Sequence, residues 1–430
     1  MADDPDVLDL TDVVAGRGVN TLYLHVGTMK TGTTYLQSRM SEHRADLADD
    51  GVLVPYSQLL ALRDRFGRRG TLKQRSVDGE WDRLLASLRA TPLERGVISM
   101  EFLSTASRER IVEIVEELRP AEVHVIVTAR DLARVMVAQW QETVGNRATW
   151  TWAEYSDDIV DQMSAGVEAG TGDNWVNPGS RATEPRPKSS GRGRGPAARQ
   201  FWRQHDLARI IEDWAAVVGM DHLHVVTVPP AGSAPEVLWH RFAQVIGVDP
   251  ARHDTGHESA PDTVRANAGV DLATAEFVRR LNERIDPGLS TVQYLTHVKA
   301  VLGRPAQLGR GTRKPVLRAE QQAAVAAYSR GLTGHLAGLG VHVVGDLDDL
   351  VPSPAAPTKP PSDGDLDREV ADAAVDAVLV MVRQLVALDG TDGPRAGRGS
   401  RQGAGKGARR GGGRRSRRDT VGGGASVDAR

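Results

Sequence analysis

TLYLHVGTMKTGTTYLQ, residues 21–37, decides the fold. Leu22, Tyr23, Leu24 and Val26 make an apolar run that reads as a buried strand ending at Gly27, and an amphipathic helix resumes at Thr33. Between them lies a short loop with a glycine at each end. Gly27 and Gly32 permit a tight backbone path in which successive N–H groups converge on an anion, while the helix that follows presents its positive end. Thr33 and Thr34 add hydroxyl donors.

Working outward, the helix from Thr33 to Asp49 carries apolar Tyr35, Leu36, Met40 and Leu47 and closes at Gly51, and Val52 to Pro55 makes a short strand. Two parallel strands joined by a helical crossover form a βαβ unit. GVISM, residues 96–100, is the next buried strand and delivers Glu101 to its carboxyl end; EVHVIVT, residues 122–128, delivers Ala129, Arg130 and Asp131 to the same edge. Helical patterns at Ser107–Leu118, Leu132–Val144, Phe201–Val218, Pro235–Ile246, Thr274–Ile285 and Leu317–Leu339, with strands at 222–228 and 341–345, continue the alternation. The expected fold is α/β: a P-loop-type doubly wound parallel sheet flanked by helices, with ligands at the carboxyl edge of the strands.

The chain reads as a leader over 1–20, an α/β domain over 21–345, a Pro-rich linker over 351–364, a helix over 365–390 and a Gly/Arg-rich tail over 391–430. Residues 166–198 are dominated by Gly, Pro, Ser and Arg, a composition that cannot bury enough apolar surface to order itself, so this stretch, the leader and the tail are expected to be disordered. The net charge of −2 conceals a division: the tail holds ten Arg and one Lys against three Asp, which leaves about −10 for the rest. The tail is suited to nonspecific polyanion contact, although it lacks aromatics for base stacking.

No cysteine occurs, which excludes disulfides, thiolate nucleophiles and Cys-ligated metals. An acidic N-terminus and the lack of any long apolar window predict a cytoplasmic protein with no membrane span. His222 and His224 alternate along a strand without ligand-like companions, so no metal site is expected from them.

Four residues separate Gly27 from Gly32, as in a Walker loop, but Thr33 stands where the nucleoside-triphosphate lysine would follow, and Lys30 lies inside the loop instead. Lys30-Thr31-Gly32-Thr33-Thr34 resembles the 5′-phosphosulfate loop of sulfotransferases that use 3′-phosphoadenosine 5′-phosphosulfate. Thr128-Ala129-Arg130-Asp131 is similar to the family's second signature, a strand ending in an arginine that holds the 3′-phosphate. The run from about residue 20 to 345 also resembles uncharacterised actinobacterial sulfotransferase-family proteins, through LHVGTMKTGTTYLQ, VHVIVTARDLARVMVAQWQETV and HVVTVPPAG.

The resemblance implies that Gly27, Thr28, Lys30, Thr31, Gly32, Thr33 and Thr34 bind the phosphosulfate end and Arg130 the 3′-phosphate. This chain departs from the family at Ala138, where a phosphate-binding serine is expected, and at Leu132, which replaces a proline. Arg134, one turn beyond Arg130, is a candidate for the missing contact. A later Arg-Lys-Gly loop has no clear counterpart, with Arg304, Arg310, Arg313 and Lys314 as substitutes.

Sulfuryl transfer needs donors aimed at the leaving phosphate oxygen, a part for which Lys30 and the loop amides are placed, and a base for the acceptor proton. Glu101 and His25 are the candidate bases. No metal is required in principle, and the acceptor is a hydroxyl or amine of a glycan, lipid or small metabolite. The competing readings are a nucleotide-dependent kinase or NTPase using the same loop, and a non-catalytic binding protein of the same fold.

Overall fold

The computed structural model describes residues 18–56, 58, 60–61, 65, 79–169, 195–253, 269–300, 313–353 and 363–391. The expectations of disorder for 1–17, 170–194 and 392–430, and the part of the linker over 354–362, lie outside the described residues.

Six strands form one all-parallel sheet in the order β2-β3-β1-β4-β5-β6. They are β1 (Thr21–His25), β2 (Val52–Leu53), β3 (Arg95–Ser99), β4 (Glu122–Ala129), β5 (Leu223–Thr227) and β6 (His342–Val344). Central β4 is buried on both faces from Val125 onward, which is why its sequence is almost continuously apolar rather than alternating. One side of the sheet buries Val97, Ile126, Val226 and Val344 against Leu36 and Met40 of helix α1 (Thr33–Glu42) and Trp239, Phe242 and Ile246 of helix Glu236–Ile246. The other side buries Leu22, Leu24, Ile98, Val125 and Val127 under helices Glu80–Ala90, Arg108–Glu117, Leu132–Gly145 and Leu207–Val218.

The strand order has a direct consequence. From β1 the chain winds outward through β2 and returns to β3, then crosses β1 to reach β4 and continues the other way. The winding reverses at β1, so the crevice at the carboxyl ends of β1 and β4 is the topological switch point, where open α/β sheets accept ligands.

Several boundaries differ from the sequence reading. The expected helix 33–49 is two helices, Thr33–Glu42 and Arg44–Asp49, because His43 leaves helical geometry between them (φ −102°, ψ 24°). The pattern over 201–218 likewise divides at Asp206, whose carboxylate accepts the amide of Arg209 at 3.2 Å and starts a new helix. A helix over Trp152–Ala169 was not anticipated and runs into the first residues of the expected insertion. At the N-terminal boundary, Val19 is buried and its amide donates to the Leu88 carbonyl, so residues 18–20 belong to the domain and not to a leader.

The chain divides into two compact units, residues 1–382 and 383–430, the described part of the second being the end of helix Asp363–Thr391. Within the first unit that helix is not separate: Ala377 and Val380 join the main core. No described helix is long and apolar enough to cross a membrane.

Candidate functional site

The loop after β1 is held to β4 from the start. Val26 N–H donates to the Ile126 carbonyl at 3.0 Å and Thr28 N–H to that of Thr128 at 3.2 Å. Gly27, Lys30 and Gly32 all have positive φ, 43°, 65° and 91°. For lysine that conformation costs about 1–2 kcal/mol, a strain held by the fixed limbs on either side. At Gly32 a Cβ would also lie 2.5 Å from Leu238 Cδ2. Gly32→Ala is therefore expected to lower stability by about 2 kcal/mol or more and to displace the loop, read as a drop in the denaturant midpoint together with lost anion binding.

The four loop threonines do not share one role. Thr31 is fully buried, donating to the Thr28 carbonyl at 2.5 Å and lying 2.7 Å from Thr128 Oγ1, and the Thr28 hydroxyl donates to the Thr128 carbonyl at 3.4 Å. Their hydroxyls fasten the loop to β4, which leaves the loop's backbone amides as the groups these two positions can offer an anion. Thr33 and Thr34 open α1, whose N-terminus has no side-chain cap, which leaves its first-turn amides open to an anion.

His25 is fully buried. Its Nδ1 is 2.8 Å from Ser99 Oγ on β3 and its Nε2 is 3.1 Å from Thr128 Oγ1 on β4. Burial pushes the ring down to about 3, so it stays neutral, and both nitrogens are engaged inside the sheet. It is a cross-strand tie, which removes it as a candidate base. Gln37 reinforces the same corner by donating to the Ser99 carbonyl at 3.0 Å.

Charge concentrates at the edge. Lys30 Nζ donates to Glu142 Oε2 at 2.9 Å, and Lys299 Nζ donates to Glu142 Oε1 at 2.6 Å. Burial alone would raise the Glu142 carboxyl, but the two ammonium groups outweigh it and hold it at about 2. One carboxylate thus serves two cations. Glu101 begins a short helical turn, Glu101–Thr105, straight after β3. Burial raises its carboxyl above the ordinary value, opposed by Lys30 and the Thr33 hydroxyl, so Glu101, Lys30, Thr33 and Glu142 form one electrostatic neighbourhood.

Arg130 stands at the end of β4. Its Nη1 donates to the Lys30 carbonyl at 3.2 Å, tying it to the loop, and its buried Nε has no partner. Among the described residues it has no carboxylate within 4 Å. Burial, with Arg134 beside it, pushes the guanidinium down to about 10. Arg134 is committed elsewhere, to the Asp131 carboxylate and to the Pro229 carbonyl at 3.0 Å, and so does not supply the free phosphate donor expected of it. Lys314 donates to the Val270 carbonyl at 3.0 Å and Arg313 pairs with Glu369 at 3.1 Å; Arg304 and Arg310 lie outside the described residues.

Other groups join the site that sequence reasoning did not assign to it. Glu142, on helix Leu132–Gly145, holds both lysines. His205, almost fully buried, lines a small cavity with Thr28, Ala129, Arg130 and Leu132 that has room for about one water molecule. Neither of its nitrogens has a hydrogen-bond partner, and burial, with Lys30 nearby, pushes the ring down to about 3. A lone histidine in a helical pattern carries no signal of such a place. Trp140 is fully buried in the core, with its indole N–H on the Trp150 carbonyl at 3.0 Å.

No family model, curated protein or solved structure matches this chain. Chemically, the edge joins first-turn amides without a side-chain cap, an ammonium on a shared carboxylate, a partly buried guanidinium with no carboxylate within 4 Å among the described residues, and a carboxyl raised above its ordinary value. Such a set can accept anions at two places and take up a proton beside them.

Proposed function

We propose that the protein is a P-loop-type sulfotransferase that moves a sulfuryl group from 3′-phosphoadenosine 5′-phosphosulfate to a hydroxyl or amine of a glycan, lipid or small metabolite. The observation that carries this reading is Arg130, a partly buried guanidinium with its Nε enclosed and no carboxylate within 4 Å among the described residues, fixed to the carbonyl of the loop lysine. A donor with phosphates at both ends of its ribose needs a second cationic place beside the first loop, and a nucleoside triphosphate does not. The position of Lys30, two residues before Gly32, and Thr33 after that glycine also favour this donor over ATP.

In this reading the acceptor oxygen or nitrogen attacks sulfur as the bond from sulfur to the bridging 5′-phosphate oxygen breaks, its electron pair passing to that oxygen. Lys30 and the α1 amides stabilise the charge that develops there. The acceptor proton goes to the Glu101 carboxylate, and sulfated acceptor and 3′-phosphoadenosine 5′-phosphate leave. Burial raises Glu101, so its carboxylate forms at a higher pH than an ordinary carboxyl's, and activity is expected to rise with pH along the limb on which it deprotonates. Glu101→Gln is expected to remove the limb and cost roughly 10²–10⁴-fold in turnover. A limb that persists in the variant assigns the proton to another group.

The donor is tested by calorimetric titration of the full chain with 3′-phosphoadenosine 5′-phosphate and, separately, with ATP and magnesium. Selective binding of the bisphosphate is expected. Binding of ATP alone would overturn the reading in favour of a kinase or NTPase.

A further inference from the structure

At the amino-terminal end of the sheet, opposite the anion-binding edge, the strands carry a row of imidazoles. Glu122 and His124 lie on β4, His222 just before β5, His224 on β5 and His342 on β6, and the register sets His224 beside His342. His124 and His224 stack with ring centres 5.4 Å apart, and His124 and His222 lie at 4.6 Å. The companions that His222 and His224 lack along their own strand are supplied by the neighbouring strands, a long-range pairing that spacing along one segment does not reveal.

The hydrogen bonds around these rings leave one contact unexplained. His222 Nδ1 is 2.9 Å from the Val218 carbonyl, which only accepts, so Nδ1 carries the proton. In the neutral ring Nε2 is then a bare lone pair, yet it lies 3.0 Å from a Glu122 carboxylate oxygen, itself an acceptor. Two acceptors at that distance require a cation between or upon them: a second proton on the ring, or a metal ion.

The rest of the cluster supplies a metal's needs. One nitrogen from each of His124 and His222 and one Glu122 oxygen lie within 4.8 Å of one another. His124 Nδ1 is 3.0 Å from His224 Nε2, and His224 Nδ1 is 2.8 Å from His342 Nδ1. If each Nδ1–H donates along this chain, His342 accepts at its end and His124 Nε2 remains a lone pair. Metal-ligating histidines ordinarily donate their second nitrogen to a carbonyl or another fixed group; His222 has Val218 and His124 has His224.

We propose that Glu122, His124 and His222 bind one divalent transition-metal ion, with Zn²⁺ the cation best suited to two imidazoles and a carboxylate, and that His224 and His342 orient His124 behind it. Three protein ligands leave one tetrahedral position for water. Glu122 is exposed and His222 about a third exposed, which gives the ion a path in. Among the described residues a second grouping of this kind, His43, Asp46 and His253, is weaker, because His253 is fully buried with Nε2 on Asp50 at 2.9 Å.

The test uses the full chain prepared without a polyhistidine tag, stripped with EDTA and dialysed against Zn²⁺, with retained metal measured by mass spectrometry and Co²⁺ absorption as a second readout. About one equivalent is expected, lost in His222→Gln and in Glu122→Gln, the latter a surface change that leaves the fold intact. His224→Gln is expected to weaken binding roughly 10–100-fold, as for groups behind metal ligands. His43→Gln is expected to leave it unchanged. Retention of no metal, meaning that a proton alone satisfies the pair, or loss of metal only in His43→Gln, would overturn the proposal.

Discussion

On the proposed mechanism, Lys30→Ala is expected to reduce sulfuryl transfer by roughly 10²–10³-fold, the effect of removing one preorganised donor from a developing oxyanion, while leaving the melting temperature nearly unchanged. Both halves follow from where the ammonium sits. Lys30 is about a third exposed and its pair with Glu142 is a partly solvated contact, worth on the order of 1 kcal/mol or less to folding. Removing it does not orphan Glu142, which keeps Lys299 at 2.6 Å and accepts from Asn146 Nδ2 at 3.1 Å. Alanine inherits the same left-handed backbone at φ 65°, so the loop gains no new strain. Arginine is not an equivalent replacement, since a planar fork does not reproduce a point charge. Parallel measurement of product formation and thermal unfolding decides the matter. Activity within a few-fold of the parent would exclude Lys30 from the reacting end, and a large loss of stability would show that its role is structural.

The fold was legible to the extent that its signals are local. The apolar strands, the paired glycines of the first loop and the helical periods of Leu132–Val144 and Pro235–Ile246 each depend on neighbours a few residues apart, and they recover β1, β3, β4 and β5 with boundaries one residue off or less. Helix breaks at His43 and Asp206 were hidden because apolar spacing continues across them, and only the backbone angle or a side-chain cap ends the helix. The site was half legible. Lys30, Glu101 and Arg130 follow from the strand-end rule for parallel sheets, since each closes or follows a recognisable strand. Nothing in the sequence says that β1 lies between β3 and β4, which is what makes them neighbours. Glu142, Lys299 and His205 come from helices and irregular segments up to 157 residues apart in pairing, as with Lys299 on Glu142, and such contacts leave no trace in local spacing. For the same reason His25 read as a possible base: alternation puts it on the face of Gly27, but only the neighbouring strands reveal Ser99 and Thr128 on its two nitrogens.

Arg130→Met is expected to separate stability from binding more sharply than any other change. A guanidinium held at about 10, below its ordinary value, carries a penalty on the order of a few kcal/mol on its charge in the folded state. The sign is that of a base whose folded value is depressed: near pH 7 the charge is retained at a cost, and removing it relieves that cost. Against this stands one hydrogen bond to the Lys30 carbonyl at 3.2 Å, worth about 1 kcal/mol net. A methionine of similar length keeps most of the packing against the cavity below, so the variant is expected to melt at the parent temperature or a few degrees above it. The bisphosphate titration is expected to move the other way, with affinity for 3′-phosphoadenosine 5′-phosphate falling roughly 30-fold or more, the scale for truncating one partner of a buried charge pair. Thermal scans with and without the bisphosphate read both quantities in one experiment, because the ligand-induced rise in melting temperature shrinks while the baseline does not fall. A destabilised variant that still binds the bisphosphate would make Arg130 a structural brace for the loop carbonyl. A variant at least as stable as the parent that no longer binds would mean that the chain keeps a partly buried, costly charge at the end of β4 for the sake of an anion, which is the physical content of the proposed donor site.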